Sequence, residues 1–153
     1  MAVKTTEKLG GPAVRQYSVF LANRVGALLE IVKMLSEARV IVLGLSIQDS
    51  SETSIARIIV SDPEELENLF GRNDIAYGAC EVAVAELEKG ASDLPRMLAA
   101  LLEAEVNIHF SYTLLVRPRG HPLIAVHTED LECSSAVLRG RGFRLLGQTD
   151  LSR

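Results

Sequence analysis

The stretch that decides the fold is Ser18–Leu43, which reads SVFLANRVGALLEIVKMLSEARVIVL. At an offset of 66 residues it falls on Val84–His109, which reads VAELEKGASDLPRMLAALLEAEVNIH. Six pairs are then identical, namely Leu21 with Leu87, Leu28 with Leu94, Leu35 with Leu101, Glu37 with Glu103, Ala38 with Ala104 and Val40 with Val106. The match crosses a strand, a loop, a helix and another strand, so duplication explains it better than chance. The sequence predicts two copies of one unit.

The first copy can be interpreted from its local patterns alone. Apolar and polar residues alternate up to Leu21, which is the period of a strand. Apolar residues then recur at helical spacing over Arg24–Ala38, which predicts an amphipathic helix. Val40–Gln48 is β-branched and apolar on both faces, so it predicts a strand covered on both sides. Thr53–Ser61, rich in Ile and Val, predicts the strand that returns beside it.

A second helix follows with a clear start signal. Asp62 can accept hydrogen bonds from the free N–H groups of the first turn, and Pro63 suits the first helical position. Glu65 completes an Asp-x-x-Glu variant of the capping box. We expect this helix to reach about Gly71 and Ile75–Tyr77 to form a short fourth strand. The order of elements in the first copy is β-α-β-β-α-β.

The second copy repeats that order with different turns. Its predicted elements are a strand at Val82–Leu87, a helix at Asp93–Glu105, a strand at Val106–Val116, a strand at Leu123–His127, a helix from an N-cap at Thr128 to Leu138, and a strand at Phe143–Leu146. The fold class predicted is α+β, with two tandem ferredoxin-like βαββαβ units, antiparallel sheets and helices on one face. We assign residues 1–12 to a flexible N-terminal tail, 13–79 to unit 1 and 80–150 to unit 2.

Composition argues against several classes of protein. A formal net charge of −4 and a pI of about 5.4 provide no general field for a phosphate backbone, so no nucleic-acid partner is predicted. No uncharged stretch approaches the roughly 18 residues that span a bilayer, and the N-terminus lacks a signal-peptide pattern. We therefore expect a cytoplasmic protein with no membrane partner. Cys80 and Cys133 lack metal or redox spacing and are interpreted as small core or edge residues.

The sequence contains no motif that carries catalytic chemistry. No nucleophile elbow, P-loop or dinucleotide fingerprint follows a predicted strand. The three histidines, His109, His121 and His127, lack the spacing of a zinc site. We predict no catalytic residue, no cofactor and no metal. One alternative stays open, because His109 and His127 can lie on neighbouring strands and bind a metal together.

The turn Asn23-Arg24-Val25-Gly26-Ala27-Leu28, between a strand and an amphipathic helix and followed by Val40–Val42 and a hairpin, resembles the ACT-domain family. The resemblance covers about Ala13–Gly147, and its specific motif lies in the first copy. It implies a pocket for an amino-acid effector at an interface between two ACT units, formed by this turn and the start of the second strand. The predicted ligand-binding residues are Asn23, Arg24, Val25, Gly26, Ala27, Leu28, Ile41 and Asn107.

The chemistry of the turn is compatible with that role. A glycine at the start of a helix lets the backbone approach a ligand, and the free N–H groups there favour a carboxylate. Asn23 can accept and donate hydrogen bonds, which suits both charged ends of an α-amino acid. The competing interpretation is structural: Asn23 only caps the helix, and Gly26 only avoids a clash with the neighbouring strand.

The two copies differ at the turn. At the offset of 66 residues, Asn23 becomes Lys89 and Gly26 becomes Ser92. The second copy has therefore lost the glycine at that position, and Gly90 can replace it only in a shifted register.

The second strand shows the reverse difference. ACT relatives that bind effectors often carry a polar residue where the first copy has Ile41 and the second has Asn107. One composite site, with the turn of copy one and Asn107 of copy two, is a possible arrangement. The other possibility is a decayed pocket in a protein-interaction module.

These observations predict a non-catalytic regulatory protein that binds a small molecule, with an amino acid as the expected effector. Val40–Gln48 requires a cover on its second face, which the sister unit or a second chain can supply, and a homodimer is expected. The alternative function is a regulatory subunit that docks on a biosynthetic enzyme. The small subunit of acetolactate synthase, which is similar in length and begins with an ACT unit, is the example.

Overall fold

The computed structural model describes residues 13–22, 25–50 and 52–152. Its strands are β1 (Val14–Leu21), β2 (Val42–Asp49), β3 (Ser54–Val60), β4 (Tyr77–Glu86), β5 (Ile108–Thr113), β6 (Leu123–Thr128) and β7 (Leu145–Leu146). Its helices are α1 (Ala27–Glu37), α2 (Pro63–Arg72), α3 (Asp93–Glu103), α4 (Leu131–Gly140) and α5 (Gln148–Leu151), with a short 3-10 turn at Gly90–Ser92 before α3. The βαββαβ order occurs twice, which confirms the predicted tandem ferredoxin-like α+β fold.

All strand pairs in the described residues are antiparallel, in the order β2-β3-β1-β4-β6-β5, with β7 also paired to β4. Strand β4 belongs to both units, because Tyr77–Val82 pairs with β1 and Ala83–Glu86 pairs with β6. The two strands predicted at Ile75–Tyr77 and Val82–Leu87 are therefore one continuous strand. Gly78–Glu81 contains no β-branched residue, and its pairing with β1 overrides that weak local preference. The predicted division between residues 79 and 80 falls inside this strand.

Two of the three hydrophobic clusters lie between the sheet and the helices. In unit 1, Leu35 of α1 and Phe70 of α2 are fully buried against Ile58 of β3. In unit 2, Met97 of α3 and Leu138 of α4 are equally buried. Burying a large apolar side chain stabilises the fold by about 1.5–3 kcal/mol, so each unit has a helix-to-sheet core of its own.

The third cluster lies on the other face of the sheet, between the two units. It joins Val14, Ile59 and Val82 to Leu123 and other buried residues of unit 2. The sheet curls so that β2 and β5 meet: Gly44 forms an antiparallel bridge with Leu114. The sister unit therefore covers Leu43 and Gly44 at the start of β2 within one chain, whereas Ile47 towards its end is 45% exposed.

The duplication is visible in the bounds of the first helix of each unit and in the backbone just after it. Helices α1 and α3 start and end 66 residues apart, at the offset found in the sequence. Arg39 and Glu105, which are also 66 apart, both have a left-handed backbone, with φ of 61° and 56°. Only a few per cent of residues other than glycine adopt this conformation, so the shared backbone geometry is independent evidence for the repeat.

Helices α2 and α4 begin with equivalent caps. The Asp62 side chain accepts a hydrogen bond from the Glu65 N–H at 3.1 Å, which confirms the predicted cap. In unit 2 the cap is Asp130, which accepts from the Cys133 N–H at 2.9 Å. The predicted cap at Thr128 was wrong, because β6 continues through Thr128. None of the helices in the described ranges is long and apolar enough to cross a membrane.

Candidate functional site

The turn between β1 and α1 is built on Gly26. Its φ of 89° lies in the left-handed region, and its carbonyl accepts the N–H of Glu30 at 3.0 Å to start α1. A Cβ placed on Gly26 would meet no atom of the described residues within 4 Å. The glycine is therefore required by its backbone conformation and not by a clash with the neighbouring strand. The adjacent Val25 side chain is fully exposed.

A cavity of about 430 Å³ lies against this turn. Its lining residues come from the end of β1, the start of α1 and the β2–β3 hairpin, namely Leu21, Ala22, Gly26, Ala27, Leu28, Leu29, Ile47 and Ser54. The volume falls within the roughly 300–1,000 Å³ of small-molecule pockets. The structure thus brings Gly26, Ala27 and Leu28 together at one cavity, whereas Val25 does not line it.

The prediction from sequence missed Leu21, Ala22 and Leu29, which adjoin the predicted turn, and it also missed the more distant Ile47 and Ser54. The last two reach the cavity because β1 and β2 are both antiparallel to β3 and hence run parallel, which places the end of β2 beside the end of β1. The element order alone contains that signal. Among the described residues of the lining, Ser54 is the one polar side chain, and its hydroxyl donates to Asp49 Oδ1 at 2.7 Å.

A second cavity, of about 440 Å³, lies on the other side of the same segment. It shares Leu21, Ala22 and Ala27 with the first cavity and extends towards Asn73 and Asp74. The described residues that line the two cavities all belong to unit 1.

The remaining predicted site residues lie elsewhere. Asn23 and Arg24 fall outside the described residues. Ile41 is 61% exposed just before β2, at the opposite end of unit 1 from Gly26. Asn107 precedes β5, and its backbone N–H donates to Glu129 Oε1 at 3.2 Å. Neither Ile41 nor Asn107 lines either cavity.

The equivalent turn of unit 2 is closed by its own side chain. Asp93, the counterpart of Ala27, is buried and accepts the Lys89 N–H at 2.9 Å through Oδ2. Its Oδ1 accepts from Arg96 at 3.2 and 3.3 Å. The Lys89 N–H, with a smaller contribution from Arg96, lowers the pKa of Asp93 below its ordinary value. An internal carboxylate thus occupies this turn.

At this turn of unit 2 the left-handed glycine is Gly90, with φ of 64°, whereas Ser92 has a right-handed backbone. The glycine therefore sits two residues earlier than Gly26 does in the aligned sequence. This is the shifted register that the sequence left open.

Solved structures share this architecture. A protein from Bacteroides thetaiotaomicron is similar with a TM-score of 0.83 and 23% identity, covering 92% of this chain and 96% of that one. The ligand-free regulatory subunit of aspartate kinase from Thermus thermophilus has a TM-score of 0.61 and 14% identity, covering 84% and 90%. The regulatory subunit of aspartate kinase from Thermus flavus has a TM-score of 0.55 and 15% identity, covering 85% and 93%. These likenesses establish the fold.

No curated protein matches the sequence. A family model described as an ACT domain pair matches residues 12–153, which is nearly the whole chain. The match includes both βαββαβ units and the turn that carries Gly26. The chain therefore belongs to the ACT domain pair family.

Proposed function

We propose that this chain is a non-catalytic regulatory protein that binds one amino-acid effector at the β1–α1 turn of unit 1. The observation that carries the proposal is the cavity of about 430 Å³ against Gly26, in a chain of the ACT domain pair family. Both units share one fold, but only unit 1 leaves this turn without a side-chain carboxylate at the position of Asp93. We therefore expect one effector per chain.

The lining of the cavity favours an effector with an apolar side chain. Leu21, Leu28 and Ile47 supply apolar walls, which would exclude water from such a side chain. We propose that Asn23 and Arg24, which precede Gly26 in the sequence, bind the charged ends of the amino acid. The Arg24 guanidinium donates to the carboxylate, and the Asn23 amide oxygen accepts from the ammonium group.

We propose that Ile41 and Asn107 contribute from a second copy of the chain in a homodimer. Neither residue lines a cavity at Gly26 of its own chain, so either residue could reach the effector site only from a second copy. The described hydrogen bonds between Asn107 and Glu129 use the backbone N–H and carbonyl of Asn107. They leave its side-chain amide for the effector.

The test is thermal denaturation of the purified chain with each of the twenty amino acids. A ligand at 100 times its Kd stabilises the folded state by about 2.7 kcal/mol, so a true effector should raise the Tm clearly. Ala27→Asp places a carboxylate where unit 2 has Asp93 and should abolish the response. Asp93→Ala is the matched control and should keep it. No stabilisation by any amino acid at millimolar concentration would contradict the proposal.

A second candidate function is docking on a biosynthetic enzyme as its regulatory subunit. The observation that favours it is an exposed apolar pair on α3: Leu98 is 42% exposed and Leu102, one turn later, is 77% exposed. Residues four apart share one face of a helix, so the two leucines form one surface. Co-purification of a catalytic subunit by the wild type, and its loss in a Leu98→Glu/Leu102→Glu variant, would support docking.

A further inference from the structure

Two histidines meet on neighbouring strands of unit 2. Their Nδ1 atoms lie 3.3 Å apart, and their ring centroids are 5.1 Å apart at an interplanar angle of 44°. His109 is exposed and His127 is half-buried. The proposed effector cavity involves neither residue.

The pair is positioned by an irregularity in the sheet. The register of β5 and β6 shifts between Ile108 and Phe110, so His109 is an additional residue opposite His127. A bulge of this kind re-aims a side chain, and here it directs His109 towards its neighbour. Without the bulge, a regular antiparallel ladder would place only one residue opposite His127.

The His127 ring is also held in orientation. It stacks on Phe110 at a centroid distance of 4.7 Å and an interplanar angle of 7°. The guanidinium carbon of Arg57, from unit 1, lies 4.0 Å from the centroid of the Phe110 ring. A ring fixed by packing loses little freedom when it binds a ligand, so the pair is preorganised.

The distance between the two nitrogens fits a metal ion. At metal–nitrogen distances of about 2.0–2.1 Å, tetrahedral geometry places two imidazole nitrogens roughly 3.3–3.4 Å apart. Imidazole is a preferred ligand of Zn²⁺, Ni²⁺ and Cu²⁺. In the part of the chain that the structure describes, no group of three or more His, Cys, Asp or Glu residues converges, so the protein supplies two ligands and solvent the others.

We propose that His109 and His127 bind one divalent transition-metal ion through their Nδ1 atoms, with solvent completing its coordination. The ion would bridge β5 and β6 at the bulge, beside the Arg57–Phe110 contact that joins the two units. The site is independent of the proposed effector site.

The test is isothermal titration of the full chain, without an affinity tag, with ZnCl₂ and with NiCl₂. We expect about one metal ion per chain. His109→Ala and His127→Ala should each raise the Kd by at least about tenfold, since even changes to residues that only orient ligands cost 10–100-fold. His121→Ala is the matched control and should bind as the wild type, because His121 Nδ1 instead contacts the Glu88 carbonyl.

Imidazole ¹⁵N NMR separates a metal site from a simple hydrogen bond between the rings. Zn²⁺ should shift the Nδ1 resonances of His109 and His127 and leave those of His121 in place. Absence of binding by the wild type, binding that survives loss of either histidine, or shifts confined to Nε2 would each overturn the proposal. Circular dichroism of both alanine variants establishes that a lost signal does not come from unfolding.

Discussion

The hydroxyl of Tyr112 donates a 2.7 Å hydrogen bond to Oε1 of Gln16, which joins β5 of unit 2 to β1 of unit 1. Gln16 is completely buried in the middle of the chain's hydrophobic interior. Its amide nitrogen lies 3.4 Å from Cys80 Sγ and 3.5 Å from Ser18 Oγ. The inter-unit core therefore contains one polar network, and Tyr112 supplies the short bond in it.

Tyr112→Phe should destabilise the protein by about 1–3 kcal/mol, because Oε1 of Gln16 is left buried without its partner. The free energy of unfolding in urea measures this directly. A Tyr112→Phe/Gln16→Leu double variant should recover much of the loss, since removing both partners leaves no unpaired polar group. Equal destabilisation in the single and double variants would contradict this explanation.

Asp93→Asn should change how stability depends on pH. The pKa of Asp93 is depressed below 3.8 in the folded state, so its stabilising contribution is present above about pH 4 and is lost as the pH falls through the folded pKa. Urea unfolding at pH 7, 4 and 3 should show a steeper loss for the wild type than for the variant.

Asp62→Ala and Asp130→Ala should each cost about 0.5–2 kcal/mol, because each removes the side-chain acceptor at the start of a helix. Asn at either position keeps an acceptor and should cost much less. Chemical unfolding of the four variants measures the difference. A larger loss from Asn than from Ala would argue against capping as the cause.

Gly44→Ala should destabilise the closure of the curled sheet. The new Cβ would lie 3.3 Å from Leu114 Cγ and 3.4 Å from Tyr112 Cε2, and overpacking typically costs 1–3 kcal/mol. Gly78→Ala is the matched control, since a Cβ there meets no atom within 4 Å. Unfolding free energies should fall for the first variant only. Combining Gly44→Ala with Leu114→Ala should relieve the strain at position 44.

Much of the fold could be predicted because the repeat, the helical spacing and the Asp62 cap can be recognised directly in the sequence. The offset of 66 residues reappears in the bounds of α1 and α3. The continuity of β4 was not predictable locally, because Gly78–Glu81 forms a strand only through its pairing with β1. The same limit explains Thr128, whose place at the end of β6 depends on its pairing with Ile108.

The candidate site was predicted in part. The positive φ of Gly26 follows from glycine at a strand-to-helix turn, and that turn does border a cavity. Ile47 and Ser54 enter the cavity lining through the strand order of the sheet, a signal that lies in the order of the elements and not in the residues of the turn itself. The closure of unit 2 by Asp93 depends on one hydrogen bond to a backbone N–H, and sequence alone does not reveal such a bond.

The strand that both units share has a consequence for how the protein folds. Cutting the chain between residues 79 and 80 would divide β4 and take Cys80, Glu81 and Val82, three of its six residues paired with β1, away from unit 1. The β4 residues that pair with β6, from Ala83 to Glu86, would stay in unit 2. The pairing of β1 in unit 1 therefore depends on a stretch of chain that also begins unit 2. The two repeats are thus separate in sequence but share one strand of the sheet, so a break in that strand removes part of the ladder that holds β1.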